Sequence, residues 1–144
     1  MIKKITNFVI PFVITTIILL VYFYLVHGLP VAQELEKTNI VSVQIMQGNK
    51  TINLTDDEDI EKAVNGVKIL SFRYGEASGG PADTTCTFYQ RDGSKIEIGA
   101  NNDTIFKNDR QYVGVNDSCQ LFGNLIQGFF FSEILQMGNC IINE

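Results

Sequence analysis

Histidine is nearly absent from this sequence. The single one, His27, lies at the end of an apolar N-terminal run, so the polar remainder of the chain has none. Ser-His-Asp and Cys-His sites need a histidine to activate the nucleophile, and most protein zinc sites use histidine as well. Such sites are therefore excluded from the part of the chain that follows His27.

Cysteine is also scarce. The three cysteines, Cys86, Cys119 and Cys140, are an odd number, and no two of them have the short spacing of a metal site. A disulfide between Cys119 and Cys140 is one candidate, which an oxidising compartment would permit. Free thiols buried as small apolar side chains are the other reading.

Basic residues are few after the N-terminal run. All 16 acidic residues, but only nine of the 11 basic ones, follow Gln33, which leaves that part of the chain with a net charge of −7. Nucleic-acid binding requires basic patches, and electrostatic docking on anionic lipid does too. We therefore predict that nucleic acid is not a partner.

Acidic residues are abundant, so a carboxylate pair is the one acid–base site that the composition permits. No pair stands out, because most of the acids fall in predicted turns and helix starts. The run Asp56–Asp59 lacks the alternate spacing of a calcium loop and fits a helix N-terminus. We predict that the protein is not an enzyme and holds no metal or cofactor, with a carboxylate-dependent hydrolase as an alternative.

What the sequence does have is one long apolar run, Phe8–Val26, without a single charge. About 19 residues of helix cross a hydrocarbon core of ~30 Å. Lys3 and Lys4 precede the run, and no basic residue follows until Lys37. By the positive-inside rule, residues 1–28 form a cytoplasmic tip and a transmembrane anchor, and the chain after Gly28 is extracytoplasmic.

Two other readings of this run stay open. A cleaved signal peptide fits the basic start, with Val26–Gly28 as the cleavage site, although secretory apolar regions are shorter, about 7–15 residues. The core helix of a soluble protein would show a polar stripe, and this run has none. The sequence therefore favours a retained signal-anchor, with the lipid bilayer as its partner.

Residues 29–38 are predicted as a short linker, and residues 39–144 as one extracytoplasmic α+β domain. Seven segments of alternating apolar and polar residues, or bounded by turn residues, are predicted as strands: Ile40–Ile45, Thr51–Leu54, Val67–Tyr74, Thr84–Tyr89, Lys95–Ile98, Thr104–Lys107 and Gln111–Val115. Tight turns between neighbours imply a mainly antiparallel sheet, ββαβ and then two hairpins, with helices packed on one face.

Two helices complete the predicted domain. Thr55–Glu58 matches a capping box, and Asn65–Gly66 matches the left-handed stop that ends many helices. A last helix is predicted after Asn116–Ser118, ending near Gly128 or running on towards Met137. Its apolar residues recur at helical spacing and lead into the aromatic run Phe129–Phe131, of which one or two rings should face the sheet.

The stretch Gly75–Asp83, GEASGGPAD, is the one long glycine-rich break. It has neither the ending of a P-loop nor the spacing of a dinucleotide fingerprint, but long loops are where binding residues collect. A cleft beside it, lined by Arg73, Tyr74 and Tyr89, would make the domain a module that senses a small ligand or a cell-wall fragment. No ligand-binding residue is otherwise assigned.

The segments NLTDDEDIEKAV (Asn53–Val64) and FYQRDGSKIEI (Phe88–Ile98), behind a Lys-Lys start and one anchor, have a familiar layout. Over Asn39–Val115 the chain resembles small membrane-anchored extracytoplasmic domains of unknown function from Gram-positive bacteria. The resemblance implies a bacterial cell-surface protein and supplies no catalytic residue. The leading prediction is a single-pass membrane protein that presents a non-catalytic domain for interaction, with a protein or cell-envelope partner.

Overall fold

A long N-terminal helix leads directly into one antiparallel sheet with two helices packed on it. This computed structural model describes residues 2–132, with side chains from residue 9 onward. Helix α1 spans Ile2–His27, and the other two helices are α2, Asp57–Lys68, and α3, Ser118–Ile126. The eight strands of this part of the chain are β1 Leu29–Pro30, β2 Ile40–Gln47, β3 Lys50–Leu54, β4 Ser71–Arg73, β5 Thr84–Gln90, β6 Lys95–Ala100, β7 Thr104–Lys107 and β8 Arg110–Gly114.

The strands form a single sheet in the order β1-β4-β8-β7-β6-β5-β2-β3, and every neighbouring pair is antiparallel. The predicted α+β class is therefore confirmed. The chain leaves edge strand β3 through α2 and enters β4 next to the opposite edge. It returns through residues 74–83 to β5, in the other half of the sheet.

Alternation along the strands produces the core. Val43 and Ile45 on β2, and Cys86 and Phe88 on β5, point to one face and are fully buried. Both α2 and α3 contribute to the same cluster, through Ile60, Val64, Phe122 and Ile126 among others. The helices also contact each other, so they cover one face of the sheet, as the sequence predicted.

The start of α2 differs from the predicted capping box. The N-cap residue is Asp56, whose carboxylate accepts a hydrogen bond from the amide of Glu58 at 2.9 Å. Thr55 lies one residue before the helix boundary. A carboxylate at this position satisfies an otherwise unpaired amide and also interacts favourably with the helix dipole, so the aspartate takes the place expected for the threonine hydroxyl.

This difference gives a direct prediction. Replacing Asp56 with alanine should lower the free energy of unfolding by about 1 kcal/mol, because the amide of Glu58 loses its acceptor. Thr55→Ala should change it by no more than about 0.5 kcal/mol, the usual range for an exposed surface substitution. Urea unfolding of the two variants measures both values. A larger loss of unfolding free energy for Thr55→Ala than for Asp56→Ala would show that Thr55 is the capping residue, as the capping box predicts.

The end of α2 is also later than predicted. The helix runs through Asn65 and Gly66 to Lys68, and Gly66 is buried inside it rather than acting as a left-handed stop. A β-carbon at Gly66 would lie 3.4 Å from Ile126 Cδ1. That distance is an ordinary van der Waals contact, so Gly66 lies where α2 packs against α3. The strand predicted from Val67 begins only at Ser71.

The last helix passes its glycines as well. After α3, residues Gln127–Phe131 continue in π-helical geometry, so Gly128 does not end the helical segment. Phe131 is buried and Phe130 half-buried, whereas Phe129 is 51% exposed, which agrees with one or two rings of this run facing the sheet. Met137 and Cys140 lie outside the described residues, and so does the candidate Cys119–Cys140 disulfide.

Residues 29–38, predicted as a linker, are integrated into the sheet domain. Leu29 and Pro30 pair with Phe72 and Ser71 on β4. Three side chains of the same stretch, Val31, Ala32 and Leu35, are at most 2% exposed within the core. Apolar residues at these positions cover the inner face of the sheet near Lys107, so the segment is packed rather than extended.

The end of α1 is held by the sheet domain, at what we call the junction. The guanidinium of Arg73 donates to the carbonyl of Leu25 at 3.2 Å, and the Asn116 amide donates to that of Val26 at 2.7 Å. Gly28 adopts a left-handed conformation, with φ of 69°, and its N–H donates to the Tyr24 carbonyl at 2.9 Å. The terminal carbonyls of a helix need such partners, and here the domain supplies two of them.

Candidate functional site

A polar groove lies where three central strands end against α3. Gln47, Thr84 and Ala100 are aligned across β2, β5 and β6, and they form one side of a groove of about 320 Å³. The wall opposite comes from α3 and the turn after it. Carboxamides dominate the lining, which we call the amide groove: Gln47, Asn101, Asn102, Gln120, Asn124 and Gln127.

One side chain joins α3 to the strands. Gly123 lies opposite Thr84, and a β-carbon there would be 4.0 Å from the Thr84 hydroxyl, an ordinary contact distance. The amide of Gln47 donates to that hydroxyl at 3.2 Å and to the Gly123 carbonyl at 3.3 Å. These contacts fix one end of the groove, because they tie β2, β5 and α3 together at a single side chain.

The chemistry of the groove is that of neutral donors and acceptors. Each carboxamide offers two N–H donors and one carbonyl acceptor, and Asp83 adds a carboxylate at the rim. No lysine or arginine is among the lining residues. Such a lining suits a neutral ligand that carries hydroxyl or amide groups rather than a phosphate or a nucleic acid.

The glycine-rich loop, residues 75–83, ends at Asp83, on the rim of the amide groove. A second hollow of about 360 Å³ lies there and shares Asp83, Asn101 and Asn102 with the amide groove. Asn101 fastens the loop, because its amide donates to the carbonyls of Gly79 at 3.1 Å and Pro81 at 3.3 Å. The loop was predicted as the place for a binding site, and it does border the amide groove.

A second tie holds the loop at Ser78, whose hydroxyl donates to the Asp103 carboxylate at 2.6 Å. Thr104 donates to the same carboxylate at 3.1 Å. These two hydrogen bonds lower the pKa of Asp103, since they stabilise its charged form. A general acid needs the opposite shift, so Asp103, which lines a hollow with Asp83, lacks the raised pKa of the acid in a carboxylate pair.

The lowered pKa of Asp103 sets a pH dependence for the loop. A group whose pKa is lower in the folded state stabilises that state above its unfolded pKa, here near 3.8, and the contribution is lost as the pH falls through the folded value. Amide hydrogen exchange of residues 76–80 should therefore accelerate below pH 3.8, beyond the intrinsic change. In Asp103→Asn, amide exchange of the loop, corrected for the intrinsic rate, should be the same above and below pH 3.8. If this variant still showed the acid-induced acceleration, the role of the Ser78–Asp103 hydrogen bond would be contradicted.

The two described cysteines are buried thiols. Burial raises the pKa of Cys119 to about 11, despite a hydrogen bond with Ser118 that lowers it. Burial also raises the pKa of Cys86 far above its ordinary value. Within residues 2–132 neither forms a disulfide, and their burial fits the reading of these two as small apolar side chains. Cys140, the other candidate partner of Cys119, lies outside the described residues. Because only the thiolate is a strong nucleophile, neither is poised to react at neutral pH.

The cleft predicted from Arg73, Tyr74 and Tyr89 does not form. Tyr89 lies on β5, four strand positions from β4, which is ~19 Å across the sheet at ~4.8 Å per strand. Arg73 is bound to the end of α1 instead, and Tyr74 lies over an aromatic cluster beside it. This cleft, which would have favoured a ligand module beside the loop, is absent because the crossover through α2 places β4 in the opposite half of the sheet.

Comparison with protein-family models, characterised proteins and solved structures finds no match for this chain. Its function must therefore be argued from its own residues. Within residues 2–132, no group of three or more His, Cys, Asp or Glu side chains has the arrangement of a metal site.

Sequence reasoning missed the amide groove, although one signal pointed to it. Gln120, Asn124 and Gln127 recur at i, i+4 and i+7, which places them on one face of a helix. Only the apolar residues of this helix entered the prediction from sequence. Its partners on the strands are distant in sequence, and the pairing of β2, β5 and β6 had to be known to bring them together.

Proposed function

We propose that this protein is a single-pass membrane protein that presents its sheet domain outside the cytoplasmic membrane as a non-catalytic binding domain. The observation that carries the proposal is helix α1. Its segment Val9–His27 is long and apolar enough to cross a bilayer, and none of it is buried against the domain. Side chains such as Phe12 and Leu20 are 66% exposed. Exposure of these apolar side chains costs free energy in water and is favourable in lipid.

The junction supports retention of α1 after synthesis. Cleavage at Val26–Gly28 would remove the helix carbonyls to which Arg73 and Asn116 donate. It would also cut the chain immediately before β1, whose two residues complete the sheet edge. A signal peptide has no need of such contacts, whereas an anchor that positions a domain does.

Orientation follows from charge, with Lys3 and Lys4 on the cytoplasmic side and the acidic domain outside. The resemblance to extracytoplasmic domains of Gram-positive bacteria leads to the same placement. The non-catalytic role is supported by the raised pKa of Cys119, which keeps its thiol protonated at neutral pH. Binding of a protein or of a cell-envelope component is the role that this architecture serves.

Alkaline carbonate extraction tests the anchor. The full chain should stay in the membrane pellet, and its mass should retain residues 1–28. A variant with Ile17→Lys and Leu20→Lys should move to the soluble fraction, because each charge at mid-helix costs about 3 kcal/mol of insertion. Release of the unmodified chain, or a mature N-terminus near Leu29, would overturn the proposal.

A second candidate function is favoured by the amide groove and the loop on its rim. We propose that the domain recognises a neutral, hydroxyl- and amide-bearing ligand, of the kind that cell-wall glycan fragments provide. Thermal shifts with such fragments test it, using Gln120→Ala in the groove and Gln111→Ala on β8 as a matched control. A shift lost only in Gln120→Ala supports the groove, and equal shifts in both variants contradict it.

A further inference from the structure

The domain carries an aromatic surface beside the end of α1. Phe72 lies 4.5 Å from Tyr112 and 5.5 Å from Tyr74 between ring centroids, and the two tyrosines are 6.1 Å apart. Tyr74 is 71% exposed and Leu29, which pairs with Phe72, is 39% exposed. We call Leu29, Phe72, Tyr74 and Tyr112 the aromatic surface.

This surface is joined to the part of α1 that lies at the membrane boundary. The backbone N–H of Tyr74 donates to the Tyr24 hydroxyl at 3.1 Å. Tyr22 and Phe23, two residues and one residue before Tyr24, are 62% and 61% exposed. Aromatic rings near the end of a membrane helix lie at the level of the lipid headgroups, so Tyr74 is held within one side-chain length of that level.

The two charged residues that line the hollow beside the aromatic surface, Lys107 and Glu34, are paired with each other. Lys107 donates to the carbonyl of Val31 at 2.8 Å and forms an ion pair with Glu34. Burial alone would raise the pKa of Glu34, but the hydrogen bond and charge of Lys107 outweigh it and lower that pKa. A hollow of about 290 Å³ between this pair and the rings can therefore lie in the interface without exposing an unpaired charge.

We propose that the aromatic surface is embedded in the headgroup layer of the bilayer, so that the domain is docked on the membrane rather than only tethered to it. The occupant of this surface is lipid, because the surface is continuous with the aromatic end of α1. Rings with a polar edge favour this layer, and the contact needs no anionic lipid. The proposal rests on the proposed function, since it requires α1 to span the membrane.

The lack of tryptophan makes the test direct. Single Trp reporters are placed by Tyr74→Trp on the aromatic surface, Tyr22→Trp at the end of α1 and Tyr89→Trp on β5. Each full-length variant is reconstituted in phosphatidylcholine vesicles with or without brominated acyl chains. We expect loss of emission with brominated lipid for the first two variants and no loss for Tyr89→Trp, whose site is 40% exposed and in the other half of the sheet.

Quenching of Tyr22→Trp alone would overturn the docking while leaving the anchor intact. Failure of all three variants to float with vesicles would instead overturn the proposed function. The unmodified chain gives a second measurement that does not depend on the substitutions. Spin-labelled headgroups should broaden the amide signal of Tyr74 more than that of Tyr89, and equal broadening would contradict the docking.

Discussion

Gly28→Ala is expected to lower the free energy of unfolding by about 2–5 kcal/mol, the largest effect of any glycine substitution at the junction. The left-handed backbone of Gly28, with φ of 69°, costs about 1–2 kcal/mol for a residue with a β-carbon. That β-carbon would also lie 2.7 Å from the Phe72 carbonyl oxygen and 3.0 Å from Val115. Crowding of this kind adds about 1–3 kcal/mol.

Gly48→Ala provides the matched control. Gly48 has a similar φ of 56°, but a β-carbon there meets nothing within 4 Å. The free energy of unfolding of Gly48→Ala should therefore fall only by the backbone cost of about 1–2 kcal/mol. Urea unfolding in mild detergent can be followed by tyrosine fluorescence, which no tryptophan obscures. Equal losses in the two variants would show that α1 does not pack against Phe72.

Leu35→Ala is expected to destabilise the domain by about 2–5 kcal/mol, the range for deleting a buried leucine side chain. Leu35 is only 2% exposed and belongs to the core cluster. If residues 29–38 were a free linker, the same substitution would change stability by less than about 0.5 kcal/mol. Unfolding in urea therefore separates the two descriptions of this segment.

Gln33→Ala is the control for this prediction, since Gln33 is exposed and lies two residues before Leu35. Its effect should stay within about 0.5 kcal/mol. A loss in Gln33→Ala as large as that in Leu35→Ala would indicate a general sensitivity of the segment, and it would contradict the specific burial of the leucine.

The hairpins of this domain could be predicted because their signals are local. Asp92–Gly93 between alternating runs gave the β5–β6 turn, where Asp92 accepts from the Ser94 amide at 2.9 Å and Gly93 has φ of 83°. Alternation over Ile40–Ile45 likewise predicted a strand, although its period would group Val41 with Val43 and Ile45. A register shift between Ile40 and Ser42 leaves Val41 54% exposed and buries Ile40 instead. The turn signal and the alternation each lie within a few consecutive residues, so a short window of sequence contains the whole signal.

Residues 29–38 were mispredicted because their role depends on distant partners. The stretch LPVAQELEK is short, contains charges and has no clear period. Val31 and Leu35 are buried because they join a core formed by side chains from distant strands and helices. Lys107 then bonds the Val31 carbonyl across 76 positions of sequence. Tertiary contacts of this range leave no pattern in a local window.

The candidate site was less predictable than the fold for the same reason. The loop over residues 75–83 was identified by its composition, and it does border the amide groove. The opposite wall could not be assigned, because the register Gln47–Thr84–Ala100 arises from strand pairing that connects β2 with β5 across α2 and β4. The junction was likewise hidden, since Arg73 and Asn116 are 48 and 90 positions from their carbonyl partners.

The location of the sheet domain tests the central claim most directly. Thr51, exposed on edge strand β3, is changed to cysteine in a Cys140→Ser background, and Lys4→Cys is made in the same background; Cys86 and Cys119 are buried. Intact protoplasts are treated with a membrane-impermeant maleimide. The account predicts labelling at position 51 in intact cells and labelling at position 4 only after lysis. Labelling of position 4 with protection of position 51 would contradict it.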